Sequence, residues 1–297
     1  MNRNRPVKRV AAINDLSGFG RSSLAVTIPI LSTMGIQVCS VPTAVLSTHT
    51  GDFPGYSFID LTDSMEKFLV HWQQLELEFE AIYSGFLGSP RQGEIVSRFI
   101  ESFARKDTLV VVDPVMGDDG KLYATMDQQM VQAMKELIKK ANVITPNITE
   151  AALLLDEEFH TAMTEKELRS WLIRLADMGP DVVIITGIPD PKQEKNTMVL
   201  AYNRTDNRFW KVSCVYIPAN FPGTGDIFTS VIVGSLLQGD SLPVAIDRGV
   251  QFITVAIRAS YGFNYPLREG VILERVLANL NMPVIANTYD LLDIDDK

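Results

Sequence analysis

The chain has 297 residues, 46% of them hydrophobic and 21% charged, with a formal net charge of -9. This composition is ordinary for a globular protein, and the negative balance argues against a nucleic-acid backbone or an anionic membrane as main partner. Two cysteines without a CxxC pair and three scattered histidines give no zinc-type spacing, and no apolar run approaches the ~18 residues of a membrane span.

The N-terminal "MNRNRPVKRVAAIND" is basic but has no sustained apolar core, so no signal peptide is expected there. Residues 9–14 read as a buried strand and 22–35 as a helix stopped by Gly35. Residues 36–47 read as extended and β-branched. Asp63 with Glu66 has the spacing of a capping box opening "DSMEKFLVHWQQLEL". A short strand is predicted at 81–85, then a helix opened by Ser89-Pro90 and running to about Lys106. A strand at 108–114 ends in a carboxylate; a helix at 127–141 carries lysines at its C-terminal end, and a strand follows at 142–147. Thr164 and Glu167 form a second capping-box pattern, and a buried strand is predicted at 181–187. Residues 197–217 read as a hairpin turning at "RTDN", followed by apolar helices at 225–238 and 243–260. The loop carrying Lys192 and Lys195 and the acidic "NTYDLLDIDDK" read as solvated and peripheral. Cys39 and Cys214 sit in strand-like runs as buried thiols of a reducing, cytoplasmic compartment.

Strands that are continuously apolar and alternate with helices specify an α/β protein: a mostly parallel sheet covered on both faces. The absence of a Pro/Ser/Gly-rich linker favours one domain over 1–297. Ligands of such sheets bind beyond the carboxyl ends of the strands, so the residues just after each strand carry the functional expectation. "PGTGD" offers a bare turn at a helix start, where free N–H groups can hold a transferring phosphoryl. Asp226 beside that anion makes chemical sense as the acceptor of a proton from an attacking hydroxyl; an N-capping aspartate is the structural alternative. No GK[ST] follows, which excludes a Walker A loop. In "VVVDPVMGDDG", Asp113 and Asp118 suit Mg²⁺ held through water, while Asp119 reads as a solvated turn. In "VITPNITEA", Asn147 or Thr149 can cap a helix and Glu150 can complement its dipole. "NDLSGFGR" places Asp15, Ser17, Gly18 and Gly20 after the first strand. It lacks the third glycine and the distant acid of a dinucleotide fingerprint, so its small polar groups are left to face a substrate. His49 reads as a satisfied loop residue.

"DPVMGD", "ITPNITEA", "VVIITG" and "PGTGDIF", in this order, resemble the vitamin-kinase branch of the ribokinase-like family. The stretch from "INDLSGFGRSS" to "STHTG" is most similar to pyridoxal/pyridoxamine kinases, and the resemblance covers roughly 9–265. It implies a three-layer α/β/α kinase that uses ATP with Mg²⁺, often helped by K⁺, and is commonly a homodimer. It implies that Asp226 is the catalytic base and that Gly223, Thr224 and Gly225 are the anion hole. Asp113, Asp118 and Glu150 match acidic positions at the metal and phosphates, and Asn147 and Thr186 match positions on the ATP side. Asp15, Ser17, Thr50, Phe86 and Tyr123 fall on the side of the substrate ring. Two departures bear on the substrate: many pyridoxal kinases have serine where Asp15 stands, and "DLSGFG" is similar to the "DPSGGAG" of hydroxymethylpyrimidine kinases. Both substrate classes are flat nitrogen heterocycles bearing a hydroxymethyl arm.

Overall fold

Residues 6–190, 196–283 and 289–292 are described in a computed structural model. In chain order the elements are β1 (Arg9–Ser17), α1 (Leu24–Thr33), β2 (Gln37–Leu46), β3 (Phe58–Asp60), α2 (Thr62–Gln74), β4 (Ala81–Ser84) and α3 (Pro90–Phe103). They continue with β5 (Leu109–Val112), β6 (Gly117–Asp118), β7 (Lys121–Leu122), α4 (Gln128–Ile138), β8 (Val143–Ile144), α5 (Ile148–Leu155) and α6 (Glu165–Asp177). The chain ends in β9 (Val182–Pro189), β10 (Asn196–Asn203), β11 (Arg208–Val215), α7 (Thr224–Gln238), α8 (Leu242–Tyr261), three short 3₁₀ turns and β12 (Tyr289–Leu292).

Ten strands form one sheet in the order β12-β11-β10-β9-β8-β5-β4-β1-β2-β3. The centre, from β2 through β1, β4, β5 and β8 to β9, is parallel, and the strands added at both sides are antiparallel. Both faces of β1 are buried: Ala11 and Ile13 pack under α2 to α6, Val10 and Ala12 under α1, α7 and α8. Alternate side chains of one apolar run therefore enter two separate cores, each large buried aliphatic contributing ~1.5–3 kcal/mol. This is the expected three-layer α/β/α arrangement.

Several helix starts follow the predicted chemistry. Ser89 accepts from the N–H of Gln92 and Thr164 with Glu167 closes a capping box, while Asp127, a cap not read from the sequence, accepts from the N–H of Met130. Gly35 takes a left-handed φ of +78° in open space after α1. The hairpin turns at residues 204–207 as the sequence indicated. Other expectations are corrected. Asp63 and Glu66 do not form a capping box, because the N-cap is Leu61, two residues earlier, which puts Asp63 inside the first turn. Asp60 Oδ1 accepts from Thr62 N there, while Glu66 pairs with Arg98 at 2.7 Å. The strand expected over 142–147 is only two residues long, plus a bridge between Asn147 and Thr186. Part of the acidic C-terminal stretch, read as peripheral, adds β12 at the outer edge of the sheet. Lys192 and Lys195 lie outside the described residues. Among the described residues no helix is long and apolar enough to cross a membrane.

Candidate active site

Crossover connections bring the ends of β1, β4, β5, β8 and β9 to one edge of the sheet, and the tip of α7 meets them there. Gly223 is the N-cap of α7, in the left-handed region at φ 82°. A Cβ at this position would stand 2.1 Å from the Arg21 carbonyl oxygen, so only glycine lets the turn press against the β1–α1 loop. Ile227 N donates to Gly223 O, the first ladder bond of the helix. The N–H groups of Thr224, Gly225 and Asp226 precede that bond and have no carbonyl four residues back to receive them. They form the positive mouth of a 15-residue helix, suited to an anion.

Asp226 is therefore not an N-cap. It sits inside the first turn, and its carboxylate reaches across to the β1–α1 segment. Asn14 Nδ2 donates to Oδ1 at 2.9 Å and Ser23 N donates to Oδ2 at 2.8 Å. Ser23 accomplishes this with φ 54° and ψ -134°, a conformation that costs a non-glycine residue ~1–3 kcal/mol. Strain of this kind beside the helix tip aims a backbone donor at the acid. Burial pushes the Asp226 carboxyl up to about 6, Asp15 adds to the rise, and the Ser23 and Asn14 donors oppose it. A base must be ionised to accept a proton. The kcat/KM profile of an enzyme using Asp226 should hence fall on the acid side near pH 6 and level off above it. A pH–rate series reads this directly, and a limb near pH 4 would remove the burial effect.

Asp15 and Ser17 are buried together, with Ser17 Oγ donating to Asp15 Oδ2 at 3.1 Å. Burial raises the Asp15 pKa, and the Ser23 and Ser17 hydroxyls oppose the rise. Asp113 is buried at the end of β5, where Thr229 Oγ1 donates to its Oδ2 at 3.3 Å. Burial and then the charge of Asp226 push its carboxyl up to about 8. Between the unfolded value of 3.8 and about 8, the folded chain keeps a proton that the unfolded chain has released. Stability from this group is thus lost as pH rises through that window. Asp113→Asn should blunt the fall in Tm between pH 6 and pH 9 in the ligand-free chain while lowering turnover. An unchanged pH dependence of Tm would contradict the placement.

Asn147 and Glu150 form a reciprocal capping box on α5, so the structural alternative holds for the geometry of both. Asn147 Nδ2 also donates to Gly117 O at 2.8 Å, tying the β6–β7 hairpin to α5. Glu150 is buried, with one oxygen accepting from Asn147 N and the other from Met116 N. Its pKa is raised well above normal by burial and then by the charge of Asp113. Burial also raises Asp118, whose Oδ1 accepts from Asp119 N. Tyr123 is partly exposed beyond the hairpin, and its phenol is raised by burial and by the acids Glu150, Asp118, Asp113 and Asp226. Thr186 N donates to Pro146 O, which sets β9 beside the Asn147 loop. Phe86 follows β4; its N–H donates to Asn14 Oδ1 and its carbonyl accepts from Thr43. Thr50 is exposed on the loop after β2. His49 in that loop is buried. Its Nδ1 accepts from Gly51 N, so Nε2 carries the proton and donates to Arg268 O at 2.6 Å.

Among the described residues no three His, Cys, Asp or Glu side chains converge to ligate one ion directly, so Asp113, Asp118 and Glu150 are not an inner-sphere cage. Asp113 and Asp118 both raise the Glu150 pKa, and a cation among them would relieve that repulsion. Such a set fits Mg²⁺ held through water and phosphate, the way this ion binds when the protein gives few ligands. A cavity of about 480 Å³, lined by Lys8, Glu80, Asp107 and Asp181 among others, lies at the opposite ends of the strands and includes none of these residues. Asn14 and Ser23 were missed from the sequence. The one available signal was an amide closing the otherwise apolar "RVAAIN".

A bare helix tip beside a doubly held carboxylate, on a parallel sheet of this order, defines a phosphotransferase of the ribokinase-like fold. The family model described as phosphomethylpyrimidine kinase matches residues 28–269, and the chain belongs to that family. A Bacteroides thetaiotaomicron protein, solved with pyridoxal as a candidate phosphomethylpyrimidine kinase, is 57% identical with a TM-score of 0.94, covering 96% of this chain and 100% of its own. The pyridoxal kinase of Lactobacillus plantarum is 29% identical with a TM-score of 0.84, over 93% of this chain and 97% of its own. A pyridoxal kinase of Burkholderia lata is 25% identical over 264 residues, 86% of this chain and 90% of its own.

Proposed function

We propose that the chain transfers the γ-phosphoryl group of ATP to the 5′-hydroxymethyl oxygen of a B6 vitamer: pyridoxal, pyridoxamine or pyridoxine. The observation that carries this reading is Asp226, ionisable near pH 6 and gripped at both oxygens beside unpaired helix N–H groups. The alcohol oxygen attacks the γ-phosphorus, its proton passes to Asp226, and the bond to the bridging oxygen of ADP breaks. Gly223, Thr224 and Gly225 receive charge on the moving phosphoryl through their N–H groups. Asp15 and Ser17 take the polar edge of the ring, and Thr50, Phe86 and Tyr123 border it. Asn147 and Thr186 lie toward the nucleotide. Mg²⁺, when bound, would neutralise phosphate charge near Asp113, Asp118 and Glu150. The reading extends to a single kinase unit over 1–297, a cytoplasmic homodimer and assistance by K⁺.

The pyridoxal in the 57%-identical relative supports the vitamer as substrate. The family description favours a second reading, a hydroxymethylpyrimidine or its phosphate as acceptor. An ADP-release assay with the three vitamers and both pyrimidines in separate wells separates them. Turnover with a vitamer is expected; turnover with a pyrimidine alone would move the assignment. Binding of pyridoxal in a calorimeter without ADP release under any condition would leave only a vitamin-binding module.

A further inference from the structure

We propose that Asn14 is a positioning residue for phosphoryl transfer: its single side chain locks the catalytic carboxylate of Asp226 to the two backbone segments that seat the acceptor ring. This rests on the reading of Asp226 as base. Asn14 lies within β1, at the register shift before Leu16, and is fully buried. Its Oδ1 accepts from Asp15 N at 3.0 Å and from Phe86 N at 2.9 Å. Those two donors fix the amide orientation, because a flip would set NH₂ against two N–H groups and oxygen against a carboxylate. Nδ2 must then face Asp226 Oδ1, where it lies at 2.9 Å. The neighbouring glycine leaves room for the amide: a Cβ on Gly85 would stand 2.4 Å from Nδ2. One side chain thus joins Asp15 on β1, Phe86 after β4 and Asp226 on α7.

The chemistry of the partner also matters. A cation here would hold the carboxylate but would stabilise its charge and weaken it as a base. The titratable groups that the described residues set around Asp226 are Asp15, Asp113, Tyr83 and Tyr123, all acids. A neutral amide orients the carboxylate without cancelling that environment. With Ser23 N on Oδ2, both oxygens are directed, and each retains a lone pair for the acceptor hydroxyl. Displacement of a base by about an ångström can cost ~10²-fold, so a donor that removes this freedom acts on kcat.

The test is a double-mutant cycle with Asn14→Asp and Asp226→Asn, measured by single-turnover phosphorylation and by Tm. Asn14→Asp keeps an acceptor for both backbone N–H groups but replaces the donor with oxygen and sets a second acid against Asp226. It should lower kcat by roughly 10–10²-fold, with KM for ATP changed less than about twofold. In the Asp226→Asn background the same change should alter kcat by less than about twofold, since the group it acts through is gone. The double variant exchanges donor and acceptor, so its Tm should recover above that of Asn14→Asp without recovery of turnover. Equal losses in both backgrounds, or wild-type kcat in Asn14→Asp, would overturn the proposal. Asn14→Ser, which adds no acid, is run in the same cycle with the same expectation for kcat and separates loss of the donor from the added charge; it also stands in should Asn14→Asp fail to fold. Full activity of Asp226→Asn would instead defeat the base assignment. Loss of turnover in Asp226→Asn with none in Asn14→Asp would defeat this inference alone.

Discussion

Asp226→Asn should reduce kcat by about 10²–10⁴-fold while ATP binding stays near the wild-type value. The amide is close to isosteric with the carboxylate. It can still accept from one of the two groups that grip it, Asn14 Nδ2 and Ser23 N, so the first turn of α7 keeps its place. What is lost is the basicity that, on the proposed reading, takes the hydroxyl proton. The N–H groups proposed to face phosphate belong to the backbone and are untouched, which is why KM for ATP should hold while kcat collapses. The variant also removes the charge that helps to raise Asp113. The ligand-free protein should therefore be as stable as wild type or more so. Steady-state kinetics with Tm in parallel check both halves. Turnover within a few-fold of wild type would exclude proton transfer to this residue.

Gly223→Ala should be almost as damaging to turnover and more damaging to the fold. The added methyl group would sit 2.1 Å from the Arg21 carbonyl oxygen and 3.0 Å from Ser22 Cα, both backbone atoms that cannot swing aside. It would also occupy φ 82°, which costs an L-residue ~1–2 kcal/mol. Relief requires the helix tip to retreat from the β1–α1 loop. That retreat moves the N–H groups proposed to hold the anion and pulls Asp226 from Ser23 N at once. Removing one such donor elsewhere costs ~10²–10³ in kcat, so a loss of at least that order is expected together with a fall in Tm. Gly225→Ala is the matched control for stability. Its Cβ would meet only Asp113 Oδ2 at 4.0 Å, an ordinary contact, so its Tm should stay near wild type. Equal Tm for Gly223→Ala and wild type would mean that the tip does not press on this loop.

Period and punctuation in the chain were enough to place most elements. The apolar cores of "RVAAIN" and "DVVIITG" read as strands buried on both faces, and the Thr164 and Ser89 signals act on nearest neighbours. Such effects are local, so they survive without knowledge of the fold. The Asp63 signal failed because Thr62 N already had a partner in Asp60, and Glu66 was drawn to arginines on α3. Two-residue strands such as β8 have too few residues to show a period, and β12 forms only because the edge of β11 is there to receive it.

The amino-acid sequence by itself determined an α/β sheet with acids and glycines gathered after its strands, and a helix at 225–238 entered through a bare turn. It could not decide whether Asp226 caps that helix or faces a reactant. Asn14 lies 212 residues from Asp226, and the strained N–H of Ser23 lies 203 residues away. Their meeting depends on β1 standing between β4 and β2 with α7 packed against α1. Bonds over such separations leave no periodic trace, because they arise from which strand lies beside which, and only the folded chain sets that order.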